Sequence, residues 1–523
     1  MPDEFDVTVV GGGHNGLVAA AYLAGAGLRT VVLERLDHTG GAAISAPTFP
    51  GVDARLSRYS YLVSLLPQQI IDNLGLDLEL RSRSVASYTP TLRRGRSTGL
   101  LVERTERDTT AESFRLLTGG DGEYAAWRGF YGEIGAVARA LFPTLTQPLP
   151  SAAQVAGAVG GDVWNWLTQT PLGVELDKRF TDDTVRGVVG TDAVIGTFAS
   201  LYDEGLVQNR CFLYHLIGNG TGEWRVPVGG MGAVTDALRR AATGAGAVIR
   251  TAARVTSIAA DGRHAQTTYE TPDGVSVVDS RFVLSGVAPA VLDDLLGRAG
   301  NTPRPEGAQV KINLLLERLP RWKAGIAAEV AFAGTLHVAE DFSQLESAYD
   351  AASAGRVPEP MPGEFYCHSL ADASILGADL ATRGYQTLTY FGVHTPARLF
   401  DRRGGDVVQT VVDNAFAALD QHLEEPLGDC LAVDGDGSPC IEVKTPQDVE
   451  AALNMPGGHI FHGDLQWPWL DGDADPESAA ERWGVATGVP NVLVCGSGAR
   501  RGGAVSGIGG HNAAMAVLDS RSS

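Results

Sequence analysis

The chain opens on a short block of β-forming apolar residues, Phe5 to Val10, among the acidic positions Asp3, Glu4 and Asp6. Three glycines follow, then a run of small apolar residues from about Asn15 to Ala26 that Gly27 closes. A buried strand over such a run, a tight turn and a helix fit this order. Thr30 to Leu33 is a second strand and ends at Glu34, so the pattern predicts a βαβ opening. From Asp121 to about Gly222 the apolar positions, with Trp, Phe and Leu among them, take helical spacing. Strand patterns return at 247–250, 254–259, 264–270 and 275–278, with turns at Asp261-Gly262 and Pro272-Asp273-Gly274. Residues 281–285 read as a further buried strand, and 309–316 and 386–393 as the start and continuation of a second sheet. Near the end, Val492 to Cys495 is a strand, Gly496 to Gly510 a glycine loop, and the rest a helix. The two ends thus resemble parts of one nucleotide-binding domain. The expected division is 1–75, 225–300 and 485–523 for that domain, and 76–224 and 301–484 for an inserted substrate domain.

Composition narrows the class. A length of 523 residues suffices for two units with real cores, and 44% apolar content is that of a globular protein. The formal net charge of −21 argues against nucleic acid and against anionic membrane surfaces. The five cysteines are scattered, with no CxxC pair, which leaves no sequence-readable metal site and suits a reducing cytoplasm. Val7 to Leu28 has no formal charge, yet its acidic leader and central glycines argue against a signal peptide or membrane span. A cytoplasmic protein without a targeting segment is expected.

Chemistry enters at Gly11-x-Gly13-x-x-Gly16, between the first strand and helix. Gly11 allows the tight turn, Gly13 the approach of a pyrophosphate, and Gly16 close helix–strand packing. The helix N-terminus, with His14 and Asn15, offers N–H groups and a positive dipole end to phosphates. Glu34 stands where a carboxylate takes both hydroxyls of an adenosine ribose, and it would repel a 2′-phosphate. A second glycine loop, Gly496 to Gly507, again leads from a strand into a helix.

With Gly40-Gly41 just after Glu34, these motifs resemble the family shared by amine oxidases and phytoene desaturases. The segments 9–23, 40–43, 57–66, 192–196, 229–232, 311–313, 461–463 and 495–512 look like bacterial phytoene-desaturase-related proteins, a group that includes pyridine nucleotide-disulphide oxidoreductase domain-containing protein 2. The resemblance implies an FAD-binding Rossmann domain of the glutathione-reductase-2 kind, discontinuous in sequence, with an inserted mixed-sheet and helical substrate domain. It implies FAD held by Gly11, Gly13, His14, Asn15, Gly16, Glu34, Arg35, Gly40, Gly41, Ala42 and Val255. Gly496, Ser497, Ala504, Val505, Ser506 and Asn512 would complete the set, the C-terminal loop lying at the pyrimidine edge of the flavin.

The implied activity is an FAD-dependent dehydrogenase or desaturase that passes hydride to flavin N5 from an apolar or partly apolar small molecule such as a polyene. Oxygen, a quinone or another carrier would take the electrons. A flavin amine oxidase is the alternative, and a flavin-free binding protein on the same fold a further one. Flavin dehydrogenation needs chiefly a positioned hydride acceptor, and no Ser-His-Asp or metal constellation is readable. Catalytic candidates are His215, Asp192, Lys311 and Arg500. His215 is a possible base or a satisfied core histidine, and Asp192 an acid or a helix cap. Lys311 resembles the strand lysine near N5 in amine oxidases, or sits at a sheet edge with its head in solvent. The pair Arg500-Arg501 departs from the His-Pro that relatives commonly carry, and is either a cationic patch at the flavin edge or a solvated pair. The 151–173 stretch, with Trp164 and Trp166, is either a buried helix or a membrane-touching one. Oligomeric state is left open by the sequence.

Overall fold

The computed structural model describes residues 3–401, 405–472 and 474–522. The first strand, β1 (Asp3–Val10), is fully buried from Val7 onward. It pairs in parallel with β2 (Thr30–Leu33) through Val7↔Thr30 and with the strand Gly274–Ser285 through Val7↔Phe282. β2 pairs onward with Val248–Arg250, and Gly274–Ser285 with the antiparallel strand Ala265–Thr271 and then Arg254–Ala260. Where Ala265–Thr271 stops, Val492–Val494 takes its place beside residues 283–285. The sequence reading broke Gly274–Ser285 into two strands; it is one. Its polar positions Asp279 and Arg281 are the outward members of a strand alternation, and they interrupt neither ladder.

The helix α1 (His14–Gly25) is apolar and small on nearly every side because it is wedged. It lies against β1, the helix Met231–Gly244 and the C-terminal helix Ile508–Ser522. A Cβ on Gly510 would stand 2.0 Å from the Asn15 carbonyl, so that crossing requires glycine. The result is a Rossmann-like α/β layer built from segments far apart in the chain.

A second seven-stranded sheet runs Ile441–Lys444, Val310–Leu316, Gln386–Gly392, Gly363–Tyr366, Thr335–Val338, Val85–Arg93 and Arg96–Glu103. Val310–Leu316 lies between two neighbours and is buried along its whole length. The expected helical region holds Gly122–Leu141, Asp183–Thr191, Val207–Leu216 and shorter helices around a core of Phe130, Phe180 and Phe212. Residues 151–173 fold as two short helices separated at Gly160, whose φ is +89°. Trp166 joins the core against Phe130, with ring centroids 5.8 Å apart. No helix among the described residues is long and apolar enough to cross a membrane.

Candidate functional site

At the end of β1 the backbone turns at Gly11, with φ +98°, into α1. A Cβ on Gly16 would lie 2.1 Å from the Gly11 carbonyl oxygen, so the strand–helix approach demands glycine there. A Cβ on Gly13 would meet only Gly41 Cα, at 4.0 Å, and otherwise open space. Glu34 is held by two backbone N–H groups: Oε2 accepts from Gly12 at 2.7 Å and Oε1 from Leu36 at 2.8 Å. That fixes the carboxylate while each oxygen keeps a lone pair.

Gly11, Gly13, His14, Asn15, Gly16, Glu34, Arg35, Gly41, Ala42 and Val255 line one cavity of about 770 Å³. Gly496, Ser497, Ala504 and Val505 of the C-terminal loop line the same space. Burial lowers the His14 ring to about 4, against a backbone bond to Ala504 that favours its charge, so the ring is neutral. His462, absent from the sequence reading, lines the cavity too and is lowered to about 3 by burial.

Three of the expected cofactor residues support this wall from behind. Gly40 donates its N–H to the Gly12 carbonyl at 2.9 Å, and a Cβ on it would come within 2.5 Å of Ile44. Ser506 accepts from Ile508 N–H at 3.2 Å at the start of the last helix. Asn512 donates to the Leu145 carbonyl at 3.0 Å.

The expected cationic patch of Arg500 and Arg501 is corrected. Arg500 donates to the Trp469 carbonyl and to Asp471, both at 2.5 Å, and does not line the cavity. Arg501, 2% exposed, clamps the carbonyls of Thr144, Gln147 and Trp483 at 2.5–2.9 Å. The carbonyls of Gln147, Trp483 and Trp469 find their donors in these two guanidiniums, which is why both turn away from the cavity.

The second sheet and the helices line the far part of the cavity. His215 is on its wall, with Nδ1 2.9 Å from the Cys211 carbonyl and the ring stacked on Trp224 at 5.4 Å. Burial lowers it to about 4. Lys311 is 4% exposed and not at a sheet edge, which corrects the solvent-exposed alternative. Its Nζ donates to the carbonyls of Ser57 at 2.6 Å and Ser60 at 3.1 Å, and lies 5.7 Å from the Tyr61 ring centre. Burial pulls it down to about 7, only partly offset by Glu442.

Asp192 is indeed the C-cap of the helix Asp183–Thr191, and it lines the cavity as well. Beside it come groups the sequence reading missed. His337 Nδ1 is 2.6 Å from Glu340 Oε2 and 3.6 Å from Glu364 Oε1. Tyr366 donates to the other Glu364 oxygen, and Tyr61 lies against Tyr366 with centroids 4.3 Å apart. Arg83 donates to the Thr335 hydroxyl at 3.2 Å and the Trp224 carbonyl at 3.3 Å. Burial raises Asp192 to about 7, and Glu340 and Glu364 each to about 8. The available signal was a charged residue inside an apolar strand: His337 in Thr335–Val338 and Glu364 in Gly363–Tyr366.

Comparisons with known proteins agree with this architecture. Residues 9–68 match the family model of the NAD(P)-binding Rossmann-like domain. The chain is 47% identical to an uncharacterized protein of Mycobacterium tuberculosis, over 98% of this chain and 97% of that one. Hydroxyneurosporene desaturase of Rhodobacter capsulatus is 28% identical over 58% of this chain and 62% of its own. An engineered putrescine oxidase superposes with a TM-score of 0.59 at 17% identity, covering 100% of both chains, a likeness of fold. The rat pyridine nucleotide-disulfide oxidoreductase domain-containing protein 2 is 30% identical over 99% of this chain and 94% of its own. The chain therefore belongs to the family of that protein, an oxidoreductase family of the amine oxidase/phytoene desaturase superfamily with a flavin or nucleotide cofactor.

Proposed function

We propose that this protein is an FAD-dependent dehydrogenase that oxidises a partly apolar small molecule bearing a polar group. The observation that carries the reading is the single cavity joining both glycine loops to a wall of aromatic and ionisable side chains. The residues fit FAD. The open approach at Gly13, the oriented Glu34 and the first turn of α1 suit a pyrophosphate and an adenosine ribose. The second loop at Gly496 to Val505 faces the same space and suits the flavin end, where nicotinamide alone would need no such loop. Bound FAD supplies a hydride acceptor at N5.

The chain's own residues do the rest. Trp127, Tyr131, Ile134 and Phe461 offer apolar contact, while Asp192 is placed to accept a proton from the substrate. Its carboxyl, near 7, is poised to do so at neutral pH. An unsubstituted polyene is disfavoured, because it would cover Asp192, Glu364 and Arg83 without matching them.

The test is anaerobic bleaching of the purified yellow protein by polyenes, amines and small acids, with oxygen and a quinone compared as oxidants. A colourless protein would favour the flavin-free binding reading. Bleaching by hydrocarbon polyenes alone would sink the demand for a polar group.

A further inference from the structure

The acidic wall of the cavity holds a group that the dehydrogenase reading does not call on. His337, on the strand Thr335–Val338, stands directly across from Glu364 on the antiparallel strand beside it. Just past that strand Ala339 takes a φ of +54°, and the bend brings Glu340 back onto His337. One imidazole and two carboxylates thus meet in the interior, with His337 5%, Glu364 2% and Glu340 1% exposed. Each offers a ligand atom within 4.8 Å of the other two. Among the described residues no other set of three His, Cys, Asp or Glu side chains comes so close. Hydrogen bonds do not account for the group. Tyr366 donates to one Glu364 oxygen, and the other faces His337 Nδ1 at 3.6 Å. Glu340 Oε2 faces the same nitrogen at 2.6 Å, while its Oε1 is buried without a partner. The Thr191 hydroxyl is near enough to act on that carboxylate, yet makes no well-formed bond to it and is itself unpartnered. One ring nitrogen therefore stands before two carboxylates, and a buried oxygen has nothing.

Charge points to what is missing. Asp192 acts on both His337 and Glu364, which makes three carboxylates, and Arg83 acts on the same two residues as a permanent cation. Buried like charges are costly unless protonated or matched by a cation. When ionised, three carboxylates less one guanidinium leave two negative charges, the number that a divalent ion brings. The donor set is one nitrogen and carboxylate oxygens, with no sulfur. It suits zinc(II) or manganese(II), whereas calcium asks for about six to eight oxygens. Ligand atoms around such an ion stand about 3 Å or slightly more apart. The 3.6 Å contact already fits, and the 2.6 Å contact must open by about half an ångström as the ion displaces the proton between His337 and Glu340. His337 and Glu364 line the cavity and Glu340 does not, so Glu340 stands behind the ion and the remaining coordination positions face the cavity. Three protein ligands with an open position is the layout of a reactive metal site rather than of a closed structural one.

We propose that His337, Glu340 and Glu364 form a binding site for a divalent transition-metal ion, zinc(II) or manganese(II), set in the cavity wall with an open coordination position facing the cavity. The site rests on these three side chains and goes beyond the dehydrogenase reading, which does not require it.

The experiment is calorimetric titration of the full chain, produced without a polyhistidine tag and stripped with EDTA, with the chlorides of zinc(II), manganese(II) and calcium. Wild type, His337→Ala, Glu340→Gln and His38→Ala are compared, with circular dichroism as the check on folding. His38→Ala removes the exposed pair of His38 and Asp37 and so reads binding at the surface. We expect one zinc ion per chain, bound at least tenfold more tightly than calcium. Zinc should weaken at least tenfold in His337→Ala and in Glu340→Gln, and stay unchanged in His38→Ala. Zinc-edge X-ray absorption of the loaded wild type decides the matter without any variant. A single imidazole with oxygen neighbours at about 2.0–2.2 Å is expected, and sulfur or a second imidazole overturns the site. So does wild type that takes up no zinc, or zinc binding that both site variants keep, or that His38→Ala alone abolishes. Flavin reduction is not read here, so the two proposals fail separately.

Discussion

Gly13 is the residue at which the first glycine loop faces the cavity most openly. Its missing Cβ points into open cavity, and Gly41 stands directly behind, its own Cβ position 3.2 Å from Gly13 Cα. A valine at Gly13 would fill the pyrophosphate approach, so Gly13→Val should purify with little or no flavin. Glu34→Ala should lose less, because it removes ribose contacts and leaves the loop. Absorbance at the flavin maximum per mole of protein checks both, and wild-type flavin in Gly13→Val would remove the loop from the site.

Lys311 and Glu340 make opposite predictions about pH. Lys311 has a folded value near 7, below the unfolded 10.5, so the unfolded chain binds more protons between those limits. Stability should therefore rise with pH across that window, by at most about 1.4 kcal/mol per unit. Lys311→Met should flatten this rise, while slowed reoxidation of the reduced flavin by oxygen would place the ammonium in the site. Glu340 titrates near 8 when folded and 4.5 when unfolded, so the folded chain binds more protons between those values. Its contribution is full at low pH and falls as pH rises toward 8. Glu340→Gln keeps an acceptor for His337 and should be more stable than wild type by on the order of 2 kcal/mol at pH 8.5, with little difference at pH 4.5. Urea melts at the two pH values check this.

Among the elements, the helix Asp183–Thr191 sets the position of Asp192. It packs closely through Gly187, where a Cβ would lie 1.9 Å from the Glu340 carbonyl and 2.7 Å from Phe342 N. Gly187→Ala must push the helix away from the strand–loop segment that carries His337 and Glu340. A loss of about 1–3 kcal/mol is expected, read as a lowered melting temperature with flavin retained.

This packing also explains what was legible in the sequence. The βαβ unit, Glu34 and the last glycine loop are local patterns, so their residues announce themselves by spacing. The acidic wall is not local. Asp192, His337, Glu340 and Glu364 come from a helix end, two strands and a loop, and only the strand order of the second sheet brings them together. Asp192 looked like a helix cap because it is one. Arg500 looked catalytic because nothing in the sequence tells that Trp469 and Asp471 lie beside it.

At the scale of the whole molecule, the chain has a formal net charge of −21, and the tryptophans of the 152–169 helices pack against other aromatic rings. Trp166 is buried, while Trp164 lies against Trp469 with centroids 5.0 Å apart, and Trp469 stacks on Trp467. Neither a basic face nor a free aromatic belt is offered to a bilayer by these helices. In liposome flotation the protein should stay wholly in the soluble fraction with neutral and with anionic lipid. Recovery in the lipid layer would show that these helices open.

The first sheet carries a further consequence, for biosynthesis. β1 is translated long before its partner: Val10 pairs with Ser285, and that partner gains its own neighbour only at residues 492–494. A nascent chain halted between residues 285 and 492 must hold the largely apolar strand end 282–285 with an open edge, the kind of edge that invites aggregation. Residues translated late thus decide the fate of ones translated early. A truncation near residue 490 should therefore act on yield and chaperone dependence before it touches chemistry.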